Sequence, residues 1–331
     1  MRFIIGSMSS QRPPEPVATP SQTSGTRLDW GLFVLLSFMW GSSYLFIKIG
    51  VDEGLRPLTL IMLRLLFGTL LLIGVFLVVR PALPTSRRTY GHLLVMALFS
   101  IVVPFWLITY GEGSGVDSSV AAILNSTVPL FTIVIAPLFL HDEHITLNRL
   151  AGLAVGFVGV IVLTSGDLGG SSSAGGVSFG IVALLLSAVS YAVGAVYARH
   201  NARGLSPLTI ALFQVLFAFV IVTTLAFTIE NPLSASITPA AAFSVVWLGL
   251  FGSGMAYLLF FRLLSAWGPT RTSLVAYLLP VWGILLGVAV LHETVDSRVL
   301  LGTALIVGGV ALVNARFGAR RLFERSAPAV D

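Results

Sequence analysis

The chain has 331 residues, of which 56% are hydrophobic and only 10% charged, whereas soluble domains carry about 25% charged residues. With a mean hydropathy of +0.95, this composition argues against a water-soluble globular enzyme. The net charge of +5 is no nucleic-acid signature, because the arginines lie at the ends of apolar runs, where they set membrane topology.

In chain order, residues 1–29 come first. Gln11-Arg12-Pro13-Pro14-Glu15-Pro16 and the Ser/Thr stretch after it predict a disordered cytoplasmic tail. The opening Met1-Arg2-Phe3-Ile4-Ile5-Gly6 is too short for the apolar core of a signal peptide. Ten apolar runs follow, each near the roughly 20 residues a membrane-spanning helix needs. They cover 30–50, 57–79, 91–110, 118–140, 150–166, 178–198, 206–229, 240–261, 272–291 and 299–315. Residues 167–177 form a Gly/Ser linker between the fifth and sixth runs, and 317–331 a basic cytoplasmic tail.

The two halves around the linker are similar. Residues 54–67 read GLRPLTLIMLRLLF and 204–217 read GLSPLTIALFQVLF, identical at seven of fourteen positions. Pro129 matches Pro280, and after a one-residue gap Glu143, Gly152, Gly159 and Val160 match Glu293, Gly302, Gly309 and Val310. The expected units are therefore five-helix repeats at 30–166 and 178–316. Because five is odd, the second copy crosses the membrane in the opposite sense, as in many secondary transporters. With a cytoplasmic N-terminus, fifteen of the nineteen basic residues fall on the cytoplasmic side and two, Arg56 and Arg298, outside. Both termini are thus expected to be cytoplasmic. The fold class is an all-α membrane protein of ten helices in two inverted repeats around a central cavity.

Chemistry is sparse. There is no cysteine, and the single lysine, Lys48, stands between Ile47 and Ile49, so no phosphate-binding Gly-Lys-Ser/Thr loop exists. No Ser-His-Asp or paired-carboxylate arrangement falls at membrane depth, so neither catalytic residues nor a cofactor is expected. His141-Asp142-Glu143-His144 offers too few ligands for zinc, and no metal site is assigned. The sequon Asn125-Ser126-Thr127 lies inside a span and carries no meaning as a glycosylation site.

The polar residues inside the spans are the candidate substrate-binding set: Trp40, Ser43, Tyr44, Lys48, Arg64, Asn125, Tyr191, Gln214, Tyr257 and Tyr277. Arg64 lies seven residues into the second span, roughly 10 Å deep at 1.5 Å per residue. A cation at that depth requires a cavity or a partner. It anchors a substrate carboxylate or phosphate, or it forms a structural pair with Glu112. Lys48 has the same functional reading, set against snorkelling or pairing with Asp52 or Glu53. Ser and Thr have the alternative reading of helix glue, whereas Asn125 and Gln214 are harder to explain so. Tyr197 and Trp282 lie at similar depths, and Pro104, Pro129 and Pro280 are expected to interrupt helices there, exposing carbonyls to a cavity. No acid is central to a span, and Glu112 is expected to face outward from a loop. Proton coupling thus has no support from sequence. Gly152 and Gly156, with Gly302, Gly308 and Gly309, predict close helix packing, within the chain or across a homodimer.

The order of these features resembles the EamA-type branch of the drug/metabolite transporter superfamily. Trp40-Gly41 leads to Lys48, Pro57 is followed by Arg64, and Pro129/Glu143/Gly152/Gly159 recurs as Pro280/Glu293/Gly302/Gly309, over residues 30–316. The resemblance implies a cavity between the repeats, lined by spans one to four and six to nine, and efflux of small solutes from a bacterial cytoplasmic (inner) membrane. The expected function is alternating-access export of amino-acid-like metabolites. Two alternatives stand beside it: a sugar-phosphate or nucleotide-sugar exchanger of the same superfamily, and a membrane scaffold or enzyme. The expected partners are a small-molecule substrate and the lipid bilayer, with no nucleic acid.

Overall fold

The structure, a computed structural model, describes residues 27–139, 146–165, 174–202, 204–272 and 274–314. The His141–His144 cluster, the linker up to residue 173 and both tails lie outside the described residues. Every regular element among the described residues is helical. We number the spans α1 (Arg27–Asp52), α2 (Pro57–Val79), α3 (Arg87–Gly113), α4 (Ser118–Phe139) and α5 (Leu147–Thr164). The second set is α6 (Ala174–Asn201), α7 (Pro207–Ile229), α8 (Pro239–Trp247 continuing through Leu248–Met255 and Ala256–Thr272), α9 (Val275–Leu291) and α10 (Ser297–Asn314). Nine of these are long and apolar enough to cross a bilayer, and α9 is a shorter apolar helix that completes the ten.

Local chemistry starts these helices. Pro57, Pro207 and Pro239 occupy first turns, where a missing N–H costs nothing. Thr146, Ser206 and Thr238 accept hydrogen bonds from Arg149, Thr209 and Ala241 backbone N–H groups as N-caps. Asp296 caps α10 through the N–H groups of Val299 and Arg298. These bonds, with the Arg298 side chain, hold its carboxyl below the usual aspartate range. The α1–α2 turn needs Gly54, whose φ of +89° suits no other residue well.

The repeats are antiparallel and interlocked. Glu230, just past the end of α7, accepts from the backbone N–H groups of Leu58 and Thr59 at 2.9 and 2.8 Å, at the start of α2. These two spans are sequence equivalents, so the start of one meeting the end of the other shows the inversion directly. A first-repeat carboxylate does not cap its own helix here: a carboxylate of the second repeat does it from across the interface. Likewise Glu293, after α9, accepts from Ser118 and Ser119 N–H at 2.7 and 3.0 Å and caps α4. Each first-repeat span packs on second-repeat partners: α1 on α8 and α9, α2 on α7 and α8, α3 on α6 and α7, α4 on α6 and α9.

Spans α5 and α10 cross antiparallel at the side. A Cβ at Gly152 would lie 2.5 Å from the Gly309 carbonyl oxygen, and one at Gly159 2.9 Å from that of Gly302. These glycines serve packing within the chain, while a Cβ on Gly308 would meet nothing within 4 Å.

The prolines act in three different ways. Pro129 follows a true break, since α4 consists of Ser118–Asn125 and Val128–Phe139 with a turn between. Pro280 does not break its helix: it sits inside α9. Pro104 is absorbed by a π-helical turn, Leu98–Val102. There the Val103 N–H reaches back five residues to the Leu98 carbonyl, and the next donor in that pattern would be Pro104, which has none. The Phe99 carbonyl so orphaned accepts instead from the Ser190 hydroxyl of α6 at 2.8 Å. Replacing Ser190 with alanine should therefore cost about 1–3 kcal/mol, the penalty for a buried unmet acceptor, read as a lower unfolding midpoint in detergent. An unchanged midpoint would show that the carbonyl has another partner. The second repeat has a π-turn at the same depth, Leu248–Met255, without any proline. Three glycines, Gly249, Gly252 and Gly254, with Ser253 leave room for it.

Candidate functional site

Arg64 is the centre of the buried polar interior. It is 4% exposed, and its Nε donates to the Ser253 hydroxyl at 2.8 Å. The guanidinium carbon lies 3.9 Å from the centroid of the Phe105 ring, a cation–π geometry. Ser253 belongs to the π-turn of α8, and Phe105 follows that of α3. The arginine is thus held between the two wide turns of the two repeats, which is where π-turns tend to mark function. Gly252 leaves the space for it: a Cβ there would stand 3.3 Å from Arg64 Nη2 and 2.9 Å from Ser43 Oγ. Gly249 brings α8 onto α2, where its Cβ would meet the Arg64 carbonyl oxygen at 2.6 Å. Among the described residues no carboxylate forms an ion pair with Arg64.

Three tyrosines, Tyr44, Tyr191 and Tyr257, lie within electrostatic reach of Arg64, as does Glu112. Tyr44 is buried and accepts a hydrogen bond from the Asn125 amide, at the break of α4. The Asn125 Oδ1 is buried with no hydrogen-bond partner among the described residues. Trp40 stands edge-on to Tyr257, with ring centroids 6.3 Å apart. Ser43 donates to the Met39 carbonyl one turn back in its own helix, and its hydroxyl also faces Gly252. Gln214 is buried in α7.

Two of the predicted site residues lie elsewhere. Tyr277 is turned away toward α10, where its hydroxyl donates to the Val310 carbonyl at 2.8 Å and accepts from Asn314 at 2.7 Å. A tyrosine in an apolar span gives no sign in sequence of which neighbour its hydroxyl will find. Lys48 is at the end of the bundle, with Nζ 3.0 Å from Asp52 Oδ1 and 3.4 Å from the Glu112 carbonyl oxygen. It lines a recess of about 320 Å³ with Asp52, Asp117, His292 and Glu293. Trp282 donates to the Ser37 hydroxyl at 2.9 Å and packs on Phe38, joining α9 to α1. The Tyr197 hydroxyl bonds His92 Nδ1 at 2.7 Å.

The largest departure from expectation is Glu112. It does not face outward from a loop: it is fully buried in the last turn of α3, with both carboxylate oxygens lacking a hydrogen-bond partner among the described residues. Sequence placed it one residue before a Gly-Ser-Gly turn, a pattern that reads as exposed. Tertiary packing buries it: α6 packs through Gly180 and Leu184 on the neighbouring Gly111, and Lys48 of α1 reaches the Glu112 backbone oxygen. Ser253 was also missed, because a lone serine in a glycine-rich span looks like helix glue.

A ten-helix membrane bundle of two interlocked inverted repeats, with a buried arginine where their π-turns meet, is the architecture of a secondary-transporter fold. The chain belongs to the EamA-like transporter family, whose model matches it twice, at residues 30–165 and 178–315. It is 30% identical over 286 residues to an uncharacterized inner membrane transporter, YedA, of Escherichia coli (strain K12), which covers 86% of this chain and 90% of the relative. A probable amino-acid metabolite efflux pump of Salmonella typhimurium is 26% identical over 306 residues, covering 89% of this chain and 98% of the pump. A solved crystal structure, 21% identical, superposes with a TM-score of 0.63 over 87% of this chain and 96% of that one, which shows the shared fold. The protein is a multi-pass membrane transporter.

Proposed function

We propose that the protein exports small amino-acid-like metabolites by alternating access, the two repeats rocking about the Arg64 site. The observation that carries this reading is the buried guanidinium without a carboxylate partner among the described residues. Its remaining donors suit a substrate carboxylate, and the surrounding Tyr44, Tyr191, Tyr257 and Trp40 suit an apolar or amphipathic side chain. The likeness to a probable amino-acid metabolite efflux pump supports the same class. A sugar-phosphate exchanger needs a denser cationic site, and Lys48 is already paired with Asp52. The arginine distribution supports cytoplasmic termini in a bacterial inner membrane.

Purified protein in liposomes loaded with a mixture of the proteinogenic amino acids tests the proposal. Release of a subset, identified by mass spectrometry and absent from protein-free liposomes, is the expected result. Retention of every amino acid would overturn the substrate class.

A further inference from the structure

Glu112 is a fully buried carboxylate, neither of whose oxygens has a hydrogen-bond partner among the described residues, inside a carrier. Span α1 brings Lys48, Asp52 and Tyr44, α2 brings Arg64, and the turn after α9 brings Glu293. Span α4 contributes the buried Ser118 hydroxyl, without a hydrogen-bond partner among the described residues, and Asp117 before it, which lines the recess with Lys48. Span α6 packs Gly180 and Leu184 against Gly111 and Val177 against Gly115, with Tyr191 deeper.

Neither cation reaches the carboxylate. Lys48 is engaged by Asp52 and by the backbone oxygen of Glu112, and Arg64 by Ser253 and Phe105. Asp52 and Glu293 add like charge nearby. A bare carboxylate in such a place is strongly disfavoured unless a proton or a cation joins it.

We propose that Glu112 is the coupling site of the carrier, holding a proton when substrate is absent and releasing it when the ammonium group of a zwitterion, whose carboxylate rests on Arg64, takes its place. The proposal rests on the transport reading above. In the step, one O–H bond on the carboxyl breaks as the ammonium arrives and the proton forms an O–H bond with water on the side from which the solute came; once the solute has left outward, water in the recess beside Lys48 returns a proton to the carboxylate, and no electrons move. A site that holds one cation or the other, never both, makes the two flows opposite, so solute leaves as a proton enters.

Two measurements test this. In infrared difference spectra at neutral pH, the wild type should show the carbonyl stretch of a protonated carboxylic acid, weakened when the amino-acid mixture is added and missing in Glu112→Gln. In liposomes with the membrane potential clamped, an interior one pH unit more acidic should drive accumulation of external amino acids up to about tenfold, since one unit is a tenfold proton ratio. Glu112→Gln should bind the amino acids more weakly and distribute them without regard to the gradient, and Glu112→Asp should retain accumulation, which separates loss of coupling from loss of fold. Absence of the carboxylic band, with Glu112 ionised against Lys48, would overturn the proposal. So would wild-type distribution indifferent to the gradient, or accumulation by Glu112→Gln equal to wild type. If no amino acid moves at all, the transport reading fails, and the infrared band alone decides whether Glu112 holds a proton.

Discussion

Replacing Arg64 with glutamine is expected to lower amino-acid flux into proteoliposomes about ten- to a hundredfold, with the protein still folded. Hydrogen bonds to a charged group are worth about 1.5–3 kcal/mol, and each 1.4 kcal/mol is about tenfold in affinity. Glutamine keeps a donor for the Ser253 hydroxyl. It removes a buried charge that no carboxylate balances among the described residues, a change that often leaves stability intact. Arg64→Lys should recover only part of the flux. An ammonium retains the charge but not the planar group that lies against Phe105 and presents several donors at once. Flux assays on detergent-monodisperse, correctly inserted variants provide the check, and wild-type flux in Arg64→Gln would remove the residue from the binding site.

The second large effect separates two glycines of one turn. A Cβ at Gly252 meets the far ends of two side chains, Ser43 Oγ at 2.9 Å and Arg64 Nη2 at 3.3 Å. Both can shift, so Gly252→Ala should fold normally while displacing the guanidinium. Its flux should fall about tenfold, comparable with the weaker end of the Arg64→Gln range. A Cβ at Gly249 instead meets a backbone oxygen, that of Arg64, at 2.6 Å, and the base of the Phe67 side chain. Backbone cannot give way cheaply, so Gly249→Ala should destabilise the protein by about 1–3 kcal/mol, the usual range for overpacking. Thermal unfolding in detergent and flux, measured on both variants, should therefore rank them in opposite orders. If both lose stability equally, the free space beside Arg64 is structural and not part of the binding site.

Seen from these residues, the site was half legible. Arg64 announced itself because a cation seven residues into an apolar span needs a reason. Asn125 did so because an amide is costly to bury without partners. The residue that grips Arg64 did not: Ser253 is remote in sequence, in the other repeat. The π-turn of α3 was partly visible through Pro104, but that of α8 was not, since glycine permits a wide turn without demanding one. That Tyr277 turns toward α10 and that Glu112 is buried were not legible for the same reason. The direction a side chain takes from a helix end depends on which helix packs there.

Pattern alone decided the number of spans, their approximate ends, the doubled unit and its inversion, because lipid demands long apolar helices and an odd count reverses the second copy. Tertiary packing decided everything that joins the repeats. It set Glu230 and Glu293 as caps on helices of the opposite half, Gly152 against Gly309, and the burial of Glu112. Those outcomes turn on contacts between segments far apart in the chain, and hydropathy, which scores each residue by its own affinity for lipid, carries no record of its neighbours.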